Sequence, residues 1–176
     1  MKLLAISGSA RHDSTNTALL RAMKRLAPEG VEVSVFHRLD SLPVFSPDAE
    51  GERTPVAVLR FLERVAQADG IIISSPEYVR AIPGGMKNAI DWMVSRLEVI
   101  GKPIALAHAS HRGDEMLASL RTVLATVSDG FLSQVFLRTP LVGKSPAEVD
   151  VMMSEPDQAA QVIGFLSELA TAIRAG

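Results

Sequence analysis

Three observations predict a doubly wound α/β fold built on a five-stranded parallel sheet. Short β-branched runs alternate along the chain with longer segments of helical period. The run Ile71-Ile72-Ile73 is apolar at every position, as a strand covered on both faces requires. The 176 residues, 47% apolar and 22% charged, suffice to bury about 70% of the unfolded surface around one core. Right-handed crossovers point to strand order 2-1-3-4-5 in a three-layer sandwich with helices on both faces. Residues 1–176 are expected to form a single domain.

The strands are predicted at Leu3–Ser7, Val31–His37, Gly70–Ser74, Pro103–Ala109 and Phe131–Leu137. A first helix from Thr15 to Ala27 places Leu19, Leu20, Met23 and Leu26 on one face and Arg21, Lys24 and Arg25 outside, and Pro28 stops it. A second opens at Thr54-Pro55, read as an N-cap followed by proline at the first helical position, and carries Val58, Phe61, Leu62 and Val65. The third follows Pro83-Gly84 and aligns Met86, Ala89, Ile90, Met93 and Leu97. The fourth follows Gly113-Asp114 with Leu117, Leu120, Leu124 and Val127, and the last follows Pro156 with Val162, Ile163, Leu166, Leu169 and Ile173.

Composition removes several classes of function. Eighteen Lys and Arg against twenty Asp and Glu give a formal net charge of −2, without the basic excess that a nucleic-acid partner selects. The chain has no cysteine, which excludes disulfides, iron–sulfur clusters, thiolate zinc sites and cysteine nucleophiles. Its opening apolar stretch is too short for a secretory signal, and no run approaches the ~20 residues that span a bilayer. A soluble, cytoplasmic protein with no membrane partner is expected. His108 and His111 lack converging carboxylates, so no metal site is expected, and no Gly-x-Ser-x-Gly elbow supports a serine hydrolase.

In a sheet of this order, ligands sit beyond the carboxyl ends of the strands where the winding reverses. That places function in the loops after Ser7, Ser74 and Ala109. The first loop reads Gly8-Ser9-Ala10-Arg11-His12-Asp13-Ser14-Thr15-Asn16 and runs into a helix N-terminus, itself an anion site. Ser9, Ser14, Thr15 and Asn16 can donate to phosphate oxygens and Arg11 can supply a charged fork. Asp13 or Ser14 alone would serve to cap the helix, but one cap needs fewer polar groups than this loop holds. It is neither a Walker A motif nor a dinucleotide fingerprint. The second loop, Ser75-Pro76-Glu77-Tyr78-Val79-Arg80-Ala81-Ile82-Pro83-Gly84, is stiffened by two prolines that can hold N–H groups toward a planar ligand. Trp92 beyond it reads as core or subunit interface, and Lys87 with Asp91 as a solvated i, i+4 pair.

The pattern Gly8-Ser9-x-Arg11-x-x-Ser14-x-Asn16, followed about sixty residues later by Pro76-Glu77-Tyr78 and then Pro83-Gly84-x-x-Lys87-Asn88-Ala89-Ile90-Asp91-Trp92, resembles the NADPH-dependent FMN reductase family. This is a flavodoxin-like group that includes chromate and quinone reductases. Leu39–Asp48 also resembles that family's loop after strand 2, and the likeness covers about the first 110 residues strongly. The resemblance implies an FMN whose phosphate is held by Ser9, Arg11, Ser14, Thr15 and Asn16. It implies an isoalloxazine ring against Pro76, Glu77, Tyr78 and Val79, with Ser110 near its other edge. It further implies a homodimer or homotetramer, NADPH or NADH as co-substrate, and a small acceptor such as a quinone, free flavin or chromate, served in a ping-pong cycle. The chain departs from the family at Val79 and Ala81, where Asn and a small polar residue are usual, and at Ser110-His111-Arg112-Gly113-Asp114, which is usually glycine-rich. No catalytic acid or base is expected; Arg112 is the candidate for flavin electrostatics and His111 for an edge contact. The rival readings are a flavodoxin-type electron carrier and a scaffold with weakened FMN binding.

Overall fold

The computed structural model describes residues 1–94 and 97–176. Its strands are β1 (Lys2–Ser7), β2 (Glu32–Phe36), β3 (Gly70–Ser74), β4 (Ile104–His108) and β5 (Phe131–Arg138). All pair in parallel in one sheet of order β2-β1-β3-β4-β5, as the sequence predicts. The register sets Leu4 beside Ile71 and Ile71 beside Ile104. The helices are α1 (Thr15–Arg25), α2 (Val56–Gln67), α3 (Gly84–Val94), α4 (Asp114–Val127), α5 (Pro146–Ser154) and α6 (Pro156–Ala175). No helix among the described residues is long and apolar enough to cross a membrane.

Because successive strand residues point to opposite faces, the central strands feed two cores. Leu4, Ile6, Ile71, Ile73, Ile104 and Leu106 pack with α2, α3 and α4. Leu3, Ala5, Ile72, Ala105 and Ala107 pack with α1, α5 and α6. Each large aliphatic side chain buried this way stabilises the fold by roughly 1.5–3 kcal/mol. The sheet is thereby rigid where its carboxyl ends present their loops.

Four local readings change. The helix after Thr54 is capped by Pro55, not Thr54; the Thr54 hydroxyl instead donates to the Gly51 carbonyl at 2.8 Å. Leu97 lies beyond α3 in a 3₁₀ turn, Leu97–Val99, and is 81% exposed, so it is no part of that helix's buried stripe. In α6 the inward stripe runs through Val162, Phe165, Leu166, Leu169 and Ala170, while Ile163 is largely turned outward. Lastly, α5 was not anticipated. It begins with a capping box in which the Ser145 hydroxyl accepts from the Glu148 N–H and the Glu148 carboxylate accepts from the Ser145 N–H.

Trp92 belongs to the core, 1% exposed. Its indole N–H donates to the Pro43 carbonyl at 2.8 Å and its ring meets Phe45 edge-on at 5.0 Å. Asn88, one helical turn earlier, donates to the same carbonyl at 3.0 Å and accepts from the Phe45 N–H at 2.7 Å. The Asn88-x-x-x-Trp92 spacing therefore fastens the long loop after β2 onto α3, using polar groups that point the same way because they are four apart.

Candidate functional site

Gly8 opens the site. Its N–H donates to the Ser74 carbonyl at 2.7 Å, which brings the turn after β1 against the end of β3. A Cβ on Gly8 would lie 2.4 Å from Ser75 Oγ and 2.9 Å from Ser75 Cα, so only glycine lets the two loops approach this closely. Beyond it Ser9 is buried, with its Oγ accepting from the Arg11 N–H at 3.2 Å. Ser14 is the N-cap of α1, accepting from the Thr17 N–H at 3.4 Å. Asn16 is also buried, and its Oδ1 accepts from the Ser74 hydroxyl at 2.9 Å.

These bonds spend acceptors and leave donors. The hydroxyl hydrogens of Ser9 and Ser14, the Asn16 amide hydrogens and the Thr15 hydroxyl have no protein acceptor among the described residues. Arg11 is exposed and has no carboxylate partner among them, while Asp13 is paired with His12 at 3.0 Å. A nest of uncommitted donors at a helix N-terminus, with an unpaired guanidinium beside it, suits an anion.

The nest opens into a cavity of about 730 Å³. Ser9, Arg11, Ser14, Thr15 and Asn16 line one side; Pro76, Glu77 and Tyr78 line the next, with Ser110 and Arg112 beyond. The fold thus gathers nine of the ten predicted cofactor residues around one space of the size that encloses a cofactor. Val79 stands apart. It is 97% exposed and outside the cavity wall. The reason is local: Tyr78 and Ala81 exchange backbone hydrogen bonds of 3.2 and 3.0 Å around Val79 and Arg80, both at positive φ, +52° and +57°. Two such residues define a tight hairpin turn that throws its tip outward.

A β-branched residue held left-handed is strained by about 1–2 kcal/mol, whereas asparagine accepts that conformation readily. Val79→Asn is therefore expected to stabilise the ligand-free protein by about 1 kcal/mol, raising Tm by roughly 2–4 °C in a thermal melt. A melt that stays put or falls would mean the turn carries no such strain.

Two parts of the wall were not anticipated. His108, at the end of β4, is 2% exposed and lines the cavity. Burial is the main cause holding its pKa below the ordinary histidine value. The other part follows β5, where Val142 and Lys144 from the turn and Ser145 and Glu148 from the start of α5 also line the cavity. Glu148 is held ionised by its hydrogen bonds to Ser145, first the backbone N–H and then the hydroxyl. The Ser145-x-x-Glu148 capping pattern was the sequence signal for this corner. His111 is exposed, donated to by Arg112 Nε at 3.2 Å, and does not line the cavity.

The chain is similar to proteins of known description. The chain is 35% identical over 114 residues to a quinone reductase of Escherichia coli K12, a match covering 62% of this chain and 60% of that protein. It is 37% identical over 112 residues to an NAD(P)H-dependent FMN reductase of Pseudomonas aeruginosa, again 62% of this chain and 60% of the relative. The match thus spans about 60% of these curated relatives' length. Among solved structures it is similar to FerB, a flavoenzyme NAD(P)H:(acceptor) oxidoreductase of Paracoccus denitrificans, with a TM-score of 0.77 and 26% identity across 99% of this chain and 97% of that one. The sequence model of one family, described as NADPH-dependent FMN reductase, matches residues 1–137, the stretch that supplies the nest, the proline-stiffened loop and the turn after β4. On that match, and with the donor nest and strand order in agreement, the chain belongs to the NADPH-dependent FMN reductase family.

Proposed function

We propose that this protein is an FMN-dependent NAD(P)H oxidoreductase that passes electrons to a small acceptor such as a quinone, a free flavin or chromate. The observation that carries the reading is the convergence of uncommitted donors and the unpaired Arg11 on one cavity walled by Pro76, Glu77, Tyr78 and Ser110. Ser9, Arg11, Ser14, Thr15 and Asn16 would hold the phosphate, and the second group the ring. Bound there, FMN supplies two-electron acceptance from a reduced nicotinamide and two-electron delivery to the acceptor. The residues' own work is orientation and electrostatics. The prolines at 76 and 83 limit loop motion, and Gly8 lets the turn after β1 close against Ser75. A ping-pong cycle is proposed with it, in which the nicotinamide donor and the acceptor use this cavity in turn.

Arg112 is exposed on the cavity rim, and a cation there favours the electron-rich form of a bound flavin. Arg112→Ala is expected to lower the flavin midpoint potential by about 30 mV, the two-electron equivalent of ~1.4 kcal/mol. An unmoved potential removes Arg112 from this role.

The chain is proposed to work as one domain, since both cores share the one sheet. A homodimer or homotetramer is proposed, with Val94, Leu97 and Ile100 offering exposed apolar surface at the end of α3. The cytoplasm is the proposed location, where reduced nicotinamides are available. The test is direct. Purified protein is loaded with FMN, and NADH and NADPH oxidation is followed with a quinone present. Bound yellow flavin with turnover is the expected result. Bound flavin without turnover would favour an electron carrier, and no flavin uptake would favour a scaffold.

A further inference from the structure

The flavin reading makes no use of His108, yet its surroundings specify a task. Its Nε2 lies 2.5 Å from the carbonyl oxygen of Arg112. A carbonyl only accepts, so Nε2 carries the hydrogen. Nδ1 is buried without a partner among the described residues and therefore holds a bare lone pair. A proton placed on it would be a buried donor with no acceptor, an expensive arrangement.

The turn after β4 is shaped to this ring. The Arg112 N–H donates to Ser110 Oγ at 2.9 Å, closing the turn from within. Gly113 follows at φ +94°, and a Cβ there would come 3.1 Å from His108 Nε2 and 3.2 Å from its Cε1. Glycine thus satisfies the left-handed backbone and clears the imidazole together. Gly113 is also the N-cap of α4, so the ring fixes where that helix begins. His108, Ser110, Arg112 and Gly113 all line the cavity.

We propose that His108 is a positioning residue whose Nε2–H, bonded to the Arg112 carbonyl, fixes the post-β4 wall of the cavity, and that protonation at Nδ1 releases that wall. The ligand's identity rests on the flavin reading above; the clasp does not. The charged groups facing the ring are Arg138 from β5, Asp114 at the start of α4 and Glu77 from the loop after β3. Arg138 opposes a second proton and the two carboxylates favour it, but Asp114 is already paired with Arg138. Burial is the largest influence and keeps the ring neutral. The Arg112 carbonyl itself favours the charged ring, and a proton at Nδ1 leaves the Nε2–H bond in place. Release therefore comes from the cost of a buried Nδ1–H without an acceptor. The closed wall is fully favoured above the ordinary histidine value of about 6.5 and weakens as pH falls through the lowered one.

Two variants test this. His108→Gln offers an amide N–H near the Nε2 position and does not titrate in this range; His108→Leu keeps bulk and removes the donor. In ligand-free protein at pH 7, hydrogen exchange at the amides of residues 110–114 is expected to speed up about tenfold in His108→Leu and to stay within about threefold of wild type in His108→Gln. Between pH 7 and 5, exchange corrected for its intrinsic pH dependence rises in wild type and stays flat in His108→Gln. FMN affinity, read from quenching of flavin fluorescence, should follow the same pattern, with Kd about tenfold weaker in His108→Leu. Full protection in His108→Leu, or a pH response in His108→Gln equal to wild type, overturns the proposal. If His108→Leu does not fold, the pH comparison of wild type with His108→Gln decides. Wild type that takes up no FMN defeats the flavin reading instead, and the exchange measurements then judge the clasp alone.

Discussion

Arg11→Glu is expected to weaken FMN uptake by about 10²–10³-fold while leaving the ligand-free fold unchanged. A hydrogen bond to a charged group contributes about 1.5–3 kcal/mol, and placing a carboxylate near a phosphate adds repulsion of about 1 kcal/mol or more at 4 Å. Together these approach 3–4 kcal/mol, and each 1.4 kcal/mol is tenfold. Arg11→Ala removes only the attraction and should fall in between. Both losses should shrink as salt rises, because the nest faces solvent. Stability should not change, since Arg11 is exposed and has no ion-pair partner among the described residues. Fluorescence titration with FMN, alongside a melt of the ligand-free protein, checks both halves. Uptake untouched by charge reversal would place the phosphate elsewhere.

Trp92→Ala is the change expected to cost the fold most. The ring is buried in the core shared by α2, α3 and α4, and its N–H serves the Pro43 carbonyl. Truncating a buried aromatic costs about 3–5 kcal/mol, which in a chain of this length lowers Tm by roughly 6–20 °C. Asn88→Ala frees the Phe45 N–H and removes a second donor from the same carbonyl. Because the two side chains share that acceptor, their effects should not add in a double-mutant cycle. Circular dichroism is the suitable probe, Trp92 being the chain's one tryptophan. Simple additivity would show that the post-β2 loop is not clasped by the pair.

What could be read in one dimension was whatever depends on local period. Ile71-Ile72-Ile73 announces a strand covered on both faces, and the stripes of α1, α2 and α4 repeat at helical spacing. The nest was also legible, because its donors come from one short run around a helix start. By contrast, α5 buries only Val149 and Met153, too few to make a period, and only its capping box marks it. The outward turn of Val79 depends on a left-handed backbone that a valine does not advertise. His108 sits in an apolar run like any strand residue, and its bond to Arg112 exists only because the loop folds back. The wall after β5 required knowing that α5 packs beside α1, where Arg25 and Asp150 meet at 2.6 Å.

The cavity draws on chain from Ser9 to Glu148, so no fragment ending before β5 can enclose it. An occupant bridging those loops would bind the native state and not the unfolded one, and mass action would then couple occupancy to folding. At a free concentration of one hundred times Kd, that coupling contributes about 2.7 kcal/mol. The unfolding midpoint should climb steadily with dissolved FMN, making the vitamin-derived ligand a structural staple as well as a reagent.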